Sequence, residues 1–196
     1  PGGDLQLAIR NAFLIRPPFY QESLFEISPT LPQFSGGVNP NRDELFEPSR
    51  RALHLSGSLY GERINLINLH LKSMNARTNE EKKRAKRQRN AQAEAIAEYC
   101  HTLSSEEATL ILGDFNDTPN SDTLKILLND TFTPTWDYAI RGNYSYRYGN
   151  QPLVLDYIPY THPLKLEEMA VFHLNTQRIN ERPFSDHDPL LATFTL

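Results

Sequence analysis

The sequence predicts an α+β fold, and three observations carry that expectation. Short apolar segments recur at residues 64–70, 110–116 and 190–196, and they have strand rather than helix length. One long helical pattern, uninterrupted by Gly or Pro, runs from about Asn79 to Cys100 between the first two. Each apolar segment also meets Asp, Asn or His at one end. Asn68 and His70 close the first, Asp114 and Asn116 the second, and Ser185-Asp186-His187-Asp188-Pro189 opens the last. A sheet that gathers such groups at its strand ends assembles a polar site from distant sequence.

Residues 4–15 read as an opening strand, with Leu5, Leu7 and Ile9 alternating with Asp4, Gln6 and Ala8. Residues 16–50 hold six of the 14 prolines and Gly36-Gly37, which predicts a long irregular excursion. Such loops carry function or disorder, and the sequence does not choose between them. Residues 52–59 and 64–72 form a hairpin around Tyr60-Gly61-Glu62-Arg63. In its second strand Ile64 and Leu66 share a face with Asn68 and His70, so an apolar face turns polar as it leaves the core.

The helix opens on a capping box, Thr78 with Glu81. Ala85, Arg89, Gln92, Ala93, Ile96 and Cys100 lie on one stripe. Arg89 and Gln92 are thus polar groups on a buried face. They predict a structural network first and substrate contact second. A strand at 109–113, a turn at 114–119 and a short helix at 121–128 follow. Residues 130–150 are aromatic and loop-like, with Trp136, Tyr138, Tyr144, Tyr146 and Tyr148. Residues 153–160 read as a strand in which Asp156 shares a face with Val154 and Ile158. Residues 172–175 are short strand or loop. The closing strand, 190–196, puts Leu190, Ala192, Phe194 and Leu196 on one side. No internal repeat stands out.

A chain of 196 residues, 39% hydrophobic and 22% charged, has the composition of one globular domain spanning 1–196. No run of about 18 apolar residues is present to span a membrane. Pro1-Gly-Gly-Asp4 shows neither a signal peptide nor an initiator Met, so a removed or omitted segment is expected. Both intracellular and secreted locations stay open. The single cysteine, Cys100, excludes an internal disulfide and reads as a core thiol. Net charge is −4, yet residues 72–89 carry eight Lys or Arg against Glu80 and Glu81. Such a run can meet phosphate, although a solvated helix face is the commoner meaning.

Several side chains can carry chemistry. A carboxylate on an apolar strand face, as at Asp156, is costly unless paired or hydrogen-bonded. It either caps a turn or orients a histidine, and His187 is the candidate partner. His54, His101, His162 and His173 stand alone and read as structural. His70 follows Asn68 at a strand end and carries equal claims to structure and function. Asp114 and Asn116, on one side of an extended stretch, suit a metal or a positioned water plus a phosphoryl oxygen. Turn chemistry alone also favours Asp and Asn there.

Asn68-Leu-His70-Leu-Lys72, Arg89 and Gln92, Gly113-Asp114-Phe-Asn116, Leu155-Asp156-Tyr-Ile158 and Ser185-Asp186-His187-Asp-Pro189 occur in this order. Together they resemble the later motifs of the endonuclease/exonuclease/phosphatase superfamily, the group that contains deoxyribonuclease I and the abasic-site endonucleases. The resemblance covers about residues 5–196. It implies a four-layer α/β/β/α sandwich with the site at one edge of two packed sheets. It implies a phosphoesterase acting on phosphodiesters or phosphomonoesters with a divalent metal, Mg²⁺ or else Mn²⁺.

Carried over residue by residue, the resemblance makes His187 the acid–base histidine and Asp156 its orienting carboxylate. Asp114 would position the attacking water or a metal, and Asn116 would hold the phosphate. His70 would stabilise charge on the phosphoryl oxygens, and Asp186 would sit beside the metal. The family's opening Asn-bearing strand and the strand with its metal-ligating Glu have no counterpart here. None of Glu22, Glu26, Glu44 and Glu47 is assigned to that ligand. The expectation is a chain that starts partway through the domain, with the remainder in a longer chain or a partner. A non-catalytic family member acting as a binding module is the rival reading. The substrate stays open between nucleic acid and a lipid or inositol phosphate. The basic stretch 82–89 and Tyr144, Tyr146 and Tyr148 suit a nucleic-acid backbone and its bases, and fit equally an exposed helix and a packed loop.

Overall fold

Two alternating segments, Ala52–Leu59 and Glu62–His70, pair antiparallel through the turn at Tyr60-Gly61 and form the centre of the molecule. Tyr60 and Gly61 both have positive φ, +53° and +93°, as a tight hairpin turn matched to strand twist requires. The computed structural model describes residues 2–4, 9–27, 51–135, 144–149, 151–175 and 185–196.

In chain order the elements are β1 (Gly2–Asp4), β2 (Ile9–Asn11), β3 (Tyr20–Ile27), β4 (Ala52–Leu59), β5 (Glu62–His70), α1 (Asn79–Cys100), β6 (Ala108–Asp114) and α2 (Asp122–Leu128). Then come β7 (Tyr146–Tyr148), β8 (Gln151–Leu153), β9 (Asp156–Tyr157), β10 (Lys165–Val171) and β11 (Leu190–Thr195). A mixed five-stranded sheet runs β3-β4-β5-β6-β9. Among the described strands only β5 and β6 pair parallel, because α1 carries the chain back between them. β10 and β11 make a second antiparallel sheet, and β7–β8 a hairpin.

Alternation along β5 and β6 sorts their side chains to two faces. One face carries Ile67, Leu69 and Ile111 into a cluster with Ile96, Tyr99 and Leu127 from the helices. The other carries Ile64 and Leu110 into a cluster with Tyr160 and Leu164, against which Leu166 and Phe194 of the second sheet pack. Asn68, His70 and Asp114 continue that second face at the strand ends.

Helix α1 begins on the expected capping box: Glu81 N–H donates to Thr78 Oγ1 at 3.1 Å, and Thr78 N–H to Glu81 Oε2 at 3.0 Å. Its buried side includes Ala85, Arg89, Gln92, Ala93 and Ile96. The two polar members tie down the chain after β5. Lys72 N–H donates to Gln92 Oε1 at 2.8 Å, and Arg89 Nη1 donates to Lys72 O at 3.3 Å. The rest of the basic run divides. Lys83 pairs with Glu80 and Lys86 with Asp122 on the exposed side, as a solvated face requires. Burial pushes the Cys100 thiol up to about 12, which suits a core position and no nucleophile.

Several expectations need correction. The hairpin turn takes only Tyr60-Gly61, so β5 starts at Glu62 and ends at His70, and the loop-like 130–150 region includes strand β7. The opening strand is two short strands, β1 and β2, paired with each other, and Leu14 beyond them is fully exposed. The irregular excursion contains β3, an eight-residue edge strand with a bulge between Gln21 and Ser23. Residues 28–50 lie outside the described residues, as do Trp136 and Tyr138. The 153–160 strand is split: Leu153 belongs to β8, Asp156–Tyr157 pairs with β6, and Tyr160 rejoins β6 through a single bridge to Leu110. Strand β10 was not foreseen, because Glu167-Glu168 and a bulge break its alternation. The closing strand does alternate as expected up to Phe194, whereas Leu196 is 49% exposed. Among the described residues no helix is long and apolar enough to cross a membrane.

His54 sits in the helix-side core. Its Nδ1 lies 2.6 Å from Tyr99 Oη and its Nε2 3.0 Å from Asn65 Oδ1, so a neutral ring accepts from the phenol and donates to the amide. Burial lowers its pKa, and the Asn65 bond and the Glu107 charge only partly oppose this. The unfolded chain takes up a proton near pH 6.5 that the folded ring resists. This contribution to stability is therefore complete above that value and is lost as pH falls toward the depressed one. Urea unfolding from pH 7 to pH 5 should show a loss that His54→Asn removes. An identical loss in the variant would refute the assignment.

Candidate active site

Strand register builds this site. His70 lies opposite Asp114 across the parallel β5–β6 pair, and Asp114 lies opposite Asp156 across the antiparallel β6–β9 pair. Three side chains from three neighbouring strands thus stand in one row, with strands about 4.8 Å apart. His70 Nε2 is 3.4 Å from Asp114 Oδ2.

Gly113 makes the row possible. Its φ of +132° is one that side chains avoid, and a Cβ there would collide with the Leu69 carbonyl oxygen of the adjacent strand. The chain still pairs on both sides, through Leu71 N–H to Asp114 O and Phe115 N–H to Leu155 O, each 2.9 Å. Gly113→Ala is expected to destabilise by about 1–3 kcal/mol from the backbone alone. It should also displace Asp114, so activity per folded molecule should fall. Urea unfolding together with kcat would register both.

His187 enters from the segment before β11. Its Nδ1 lies 2.7 Å from Asp156 Oδ2, and its Nε2 lies 3.8 Å from Asp114 Oδ2. The carboxylate thereby fixes the ring and leaves Nε2 toward Asp114. Residues 146 and 187 form an isolated antiparallel bridge, and the Tyr146 ring sits 4.7 Å from the imidazole. Burial alone would lower the His187 pKa. The Asp156 hydrogen bond and charge, with Asp114 and Asp186, outweigh that and raise it.

Asn116 has a φ of +50°, which Asn tolerates better than most residues. Its Nδ2 donates to Asp114 Oδ2 at 2.8 Å and to Leu71 O at 3.1 Å, and its N–H donates to Asp114 Oδ1 at 2.7 Å. Both amide protons are committed, so in this geometry Asn116 locks the Asp114 carboxylate instead of facing a phosphate. Asp186 is exposed and lines the same cavity from its rim.

The cavity, about 730 Å³, has His70, Asp114, Asn116, Asp156, Asp186 and His187 among its lining residues. All six candidate residues are therefore brought together. The walls include the 73–76 segment after β5, Lys82 of α1, and Tyr146, Tyr148 and Leu153 of the β7–β8 hairpin. Burial, with the charge of Asp186, raises the Tyr146 hydroxyl pKa. Sequence reasoning grouped Tyr146 and Lys82 with an aromatic loop and a basic helix, and only tertiary packing singles them out. Ligand atoms of Asp114, Asp156 and His187 lie within 4.8 Å of one another, a set of two carboxylates and an imidazole able to hold a divalent ion.

A cavity with room for more than a phosphate group, floored by carboxylates and histidines at the strand ends of a mixed sheet, defines a class. The chain belongs to the endonuclease/exonuclease/phosphatase family, whose description matches residues 10–187. Its deoxyribonuclease I-like fold is shared by truncated TDP2 of Caenorhabditis elegans, at 19% identity over 93% of this chain and 68% of that one, TM-score 0.65. TDP2 of D. rerio, complexed with single strand DNA product, has 14% identity over 91% and 69%, TM-score 0.64. A mannosyl-6-phosphatase of Bacteroides thetaiotaomicron has 16% identity over 74% and 58%, TM-score 0.56. At these identities the likeness is one of fold. No curated protein matches the sequence.

Proposed function

We propose that this chain is a phosphoesterase that hydrolyses phosphate esters by attack of water on phosphorus. The observation that carries the reading is the Asp156–His187 hydrogen bond of 2.7 Å standing over the His70–Asp114–Asp156 row. Asp156 holds the imidazole so that Nε2 can exchange a proton with the reacting oxygens. Nε2 and Asp114 Oδ2, 3.8 Å apart, are spaced so that one substrate or water oxygen can touch both. Asp114, locked by Asn116, orients the water, and His70 offers Nε2 to a phosphoryl oxygen.

Asp114 is the natural anchor for Mg²⁺ or Mn²⁺, with Asp156 in reach and Asp186 at the rim. Such an ion, when bound, supplies Lewis-acid neutralisation of the phosphoryl charge. Nucleic acid is the favoured substrate. Lys82 offers a cation beside the cavity, and Tyr148, 67% exposed, offers a stacking surface at its mouth.

Hydrolysis of an aryl phosphodiester with and without Mg²⁺ tests this reading. Turnover that EDTA abolishes, and that His187→Ala lowers by about 10²–10⁴-fold, supports it. No turnover by the wild-type chain supports the rival, a non-catalytic binding module. A parallel screen of single-stranded DNA, duplex DNA, RNA and phosphoinositide headgroups tests the substrate class.

A further inference from the structure

Beside the Asp156–His187 pair stands a second histidine–carboxylate pair, His173–Asp188, whose carboxylate is buried. Asp188 follows His187 in an extended segment, so the two side chains point to opposite sides. The Asp188 carboxylate is wholly shielded from solvent, which is costly without strong donors. It accepts from His173 Nδ1 at 2.8 Å and from Asn175 N–H at 2.8 Å. The His173 ring stacks on Tyr144 at 4.3 Å and 28°, which fixes the donor in turn.

The same cluster grips the backbone around His187. Asn175 Nδ2 donates to His187 O at 2.7 Å, and Asp188 N–H donates to Ser145 O at 2.7 Å. Ser145, fully buried, also reaches the other half of the catalytic pair. Its Oγ accepts from Leu155 N–H and Asp156 N–H, each at 3.1 Å. One residue therefore ties the backbone of Asp156 to that of Asp188, while the His173–Asp188 pair holds the segment carrying His187.

We propose that His173 and Asp188, acting with Asn175, are positioning residues that fix the His187 imidazole against Asp156. This rests on the hydrolytic reading above. A displacement of about 1 Å in such a group is enough to cost on the order of 10²-fold in rate. The pair touches no substrate, so its loss should appear in kcat and leave KM nearly unchanged.

His173→Phe keeps an aromatic ring to stack on Tyr144 and removes the donor. His173→Asn restores an N–H near the Nδ1 position. The expected result is a kcat about tenfold lower in the Phe variant, KM within about twofold, and recovery of most of the loss in the Asn variant. The downfield proton resonance of the His187–Asp156 hydrogen bond should weaken in the Phe variant and return in the Asn variant. If the Phe variant does not fold, Asn175→Ala, which removes only the bond to His187 O, should lower kcat and weaken the same resonance. Unchanged kcat and an unchanged resonance in a folded variant would overturn the proposal. A wild-type chain without turnover would sink the hydrolytic reading alone, since the resonance still decides whether the pair positions His187.

Discussion

Asp156→Asn is expected to lower kcat by about 10²–10⁴-fold, the range that a correctly placed acid–base group contributes. The carboxylate accepts from His187 Nδ1 at 2.7 Å, and it is the leading opponent of the burial that would otherwise depress the imidazole pKa. An amide is nearly isosteric, so the fold should survive. It carries no charge, however, and can present N–H to Nδ1, which favours the wrong tautomer. The His187 titration should therefore move down in the variant. Steady-state kinetics together with histidine NMR would test both halves. A variant with wild-type kcat, or an unmoved titration, would remove the pair from the mechanism.

Arg89→Met should destabilise the chain by about 3–5 kcal/mol, because it strips the cation from a buried carboxylate. Arg89 Nε donates to Asp117 Oδ2 at 3.1 Å, with side-chain exposures of only 6% and 11%. Thr123 Oγ1 donates to the same oxygen at 2.8 Å, and Tyr157 Oη donates to the Asp117 carbonyl at 3.0 Å. The network also has a bearing on the site. Arg89 and Gln92 hold Lys72, next to Leu71, whose carbonyl receives the Asn116 amide that locks Asp114. Activity should thus fall at temperatures where the variant remains folded. Urea unfolding of Arg89→Met beside Arg89→Met/Asp117→Leu separates the causes. Removing both partners should recover part of the loss. A single variant within about 0.5 kcal/mol of wild type would contradict the account.

What was legible in the sequence follows from where local signals are strong. The capping box and the Ala-rich stripe of α1 are short-range patterns, and the helix spans the expected Asn79–Cys100. Strands β5 and β6 carry apolar residues to both faces in their middles. Strand β6 lies within a residue of the expected 109–113, and β5 is displaced by two residues from the expected 64–72 because its turn is tighter. The cost of a carboxylate on an apolar face pointed to a partner for Asp156, and geometry supplies His187. Strands β3 and β10 were missed because both are interrupted by bulges and carry charged or exposed residues. Their pairing comes from neighbours, which local alternation does not report. The commitment of Asn116 to Asp114 and Leu71 was equally invisible, since Leu71 lies 45 residues away and is brought near only by the pairing of β5 with β6. The basic run mixed three roles that only tertiary placement separates: Arg89 in the core, Lys83 and Lys86 in solvent-side pairs, and Lys82 at the cavity.

Hydrolysis of an aryl phosphodiester in ¹⁸O-enriched water asks most directly what these side chains do together. Water delivered to phosphorus predicts one ¹⁸O in the released phosphomonoester, none in the phenol, and the same labelled product formed about 10²–10⁴-fold more slowly with His187→Ala. Label in the phenol, or none in either product with intact protein and added Mg²⁺, would contradict the proposal that this cavity activates water against a phosphate ester.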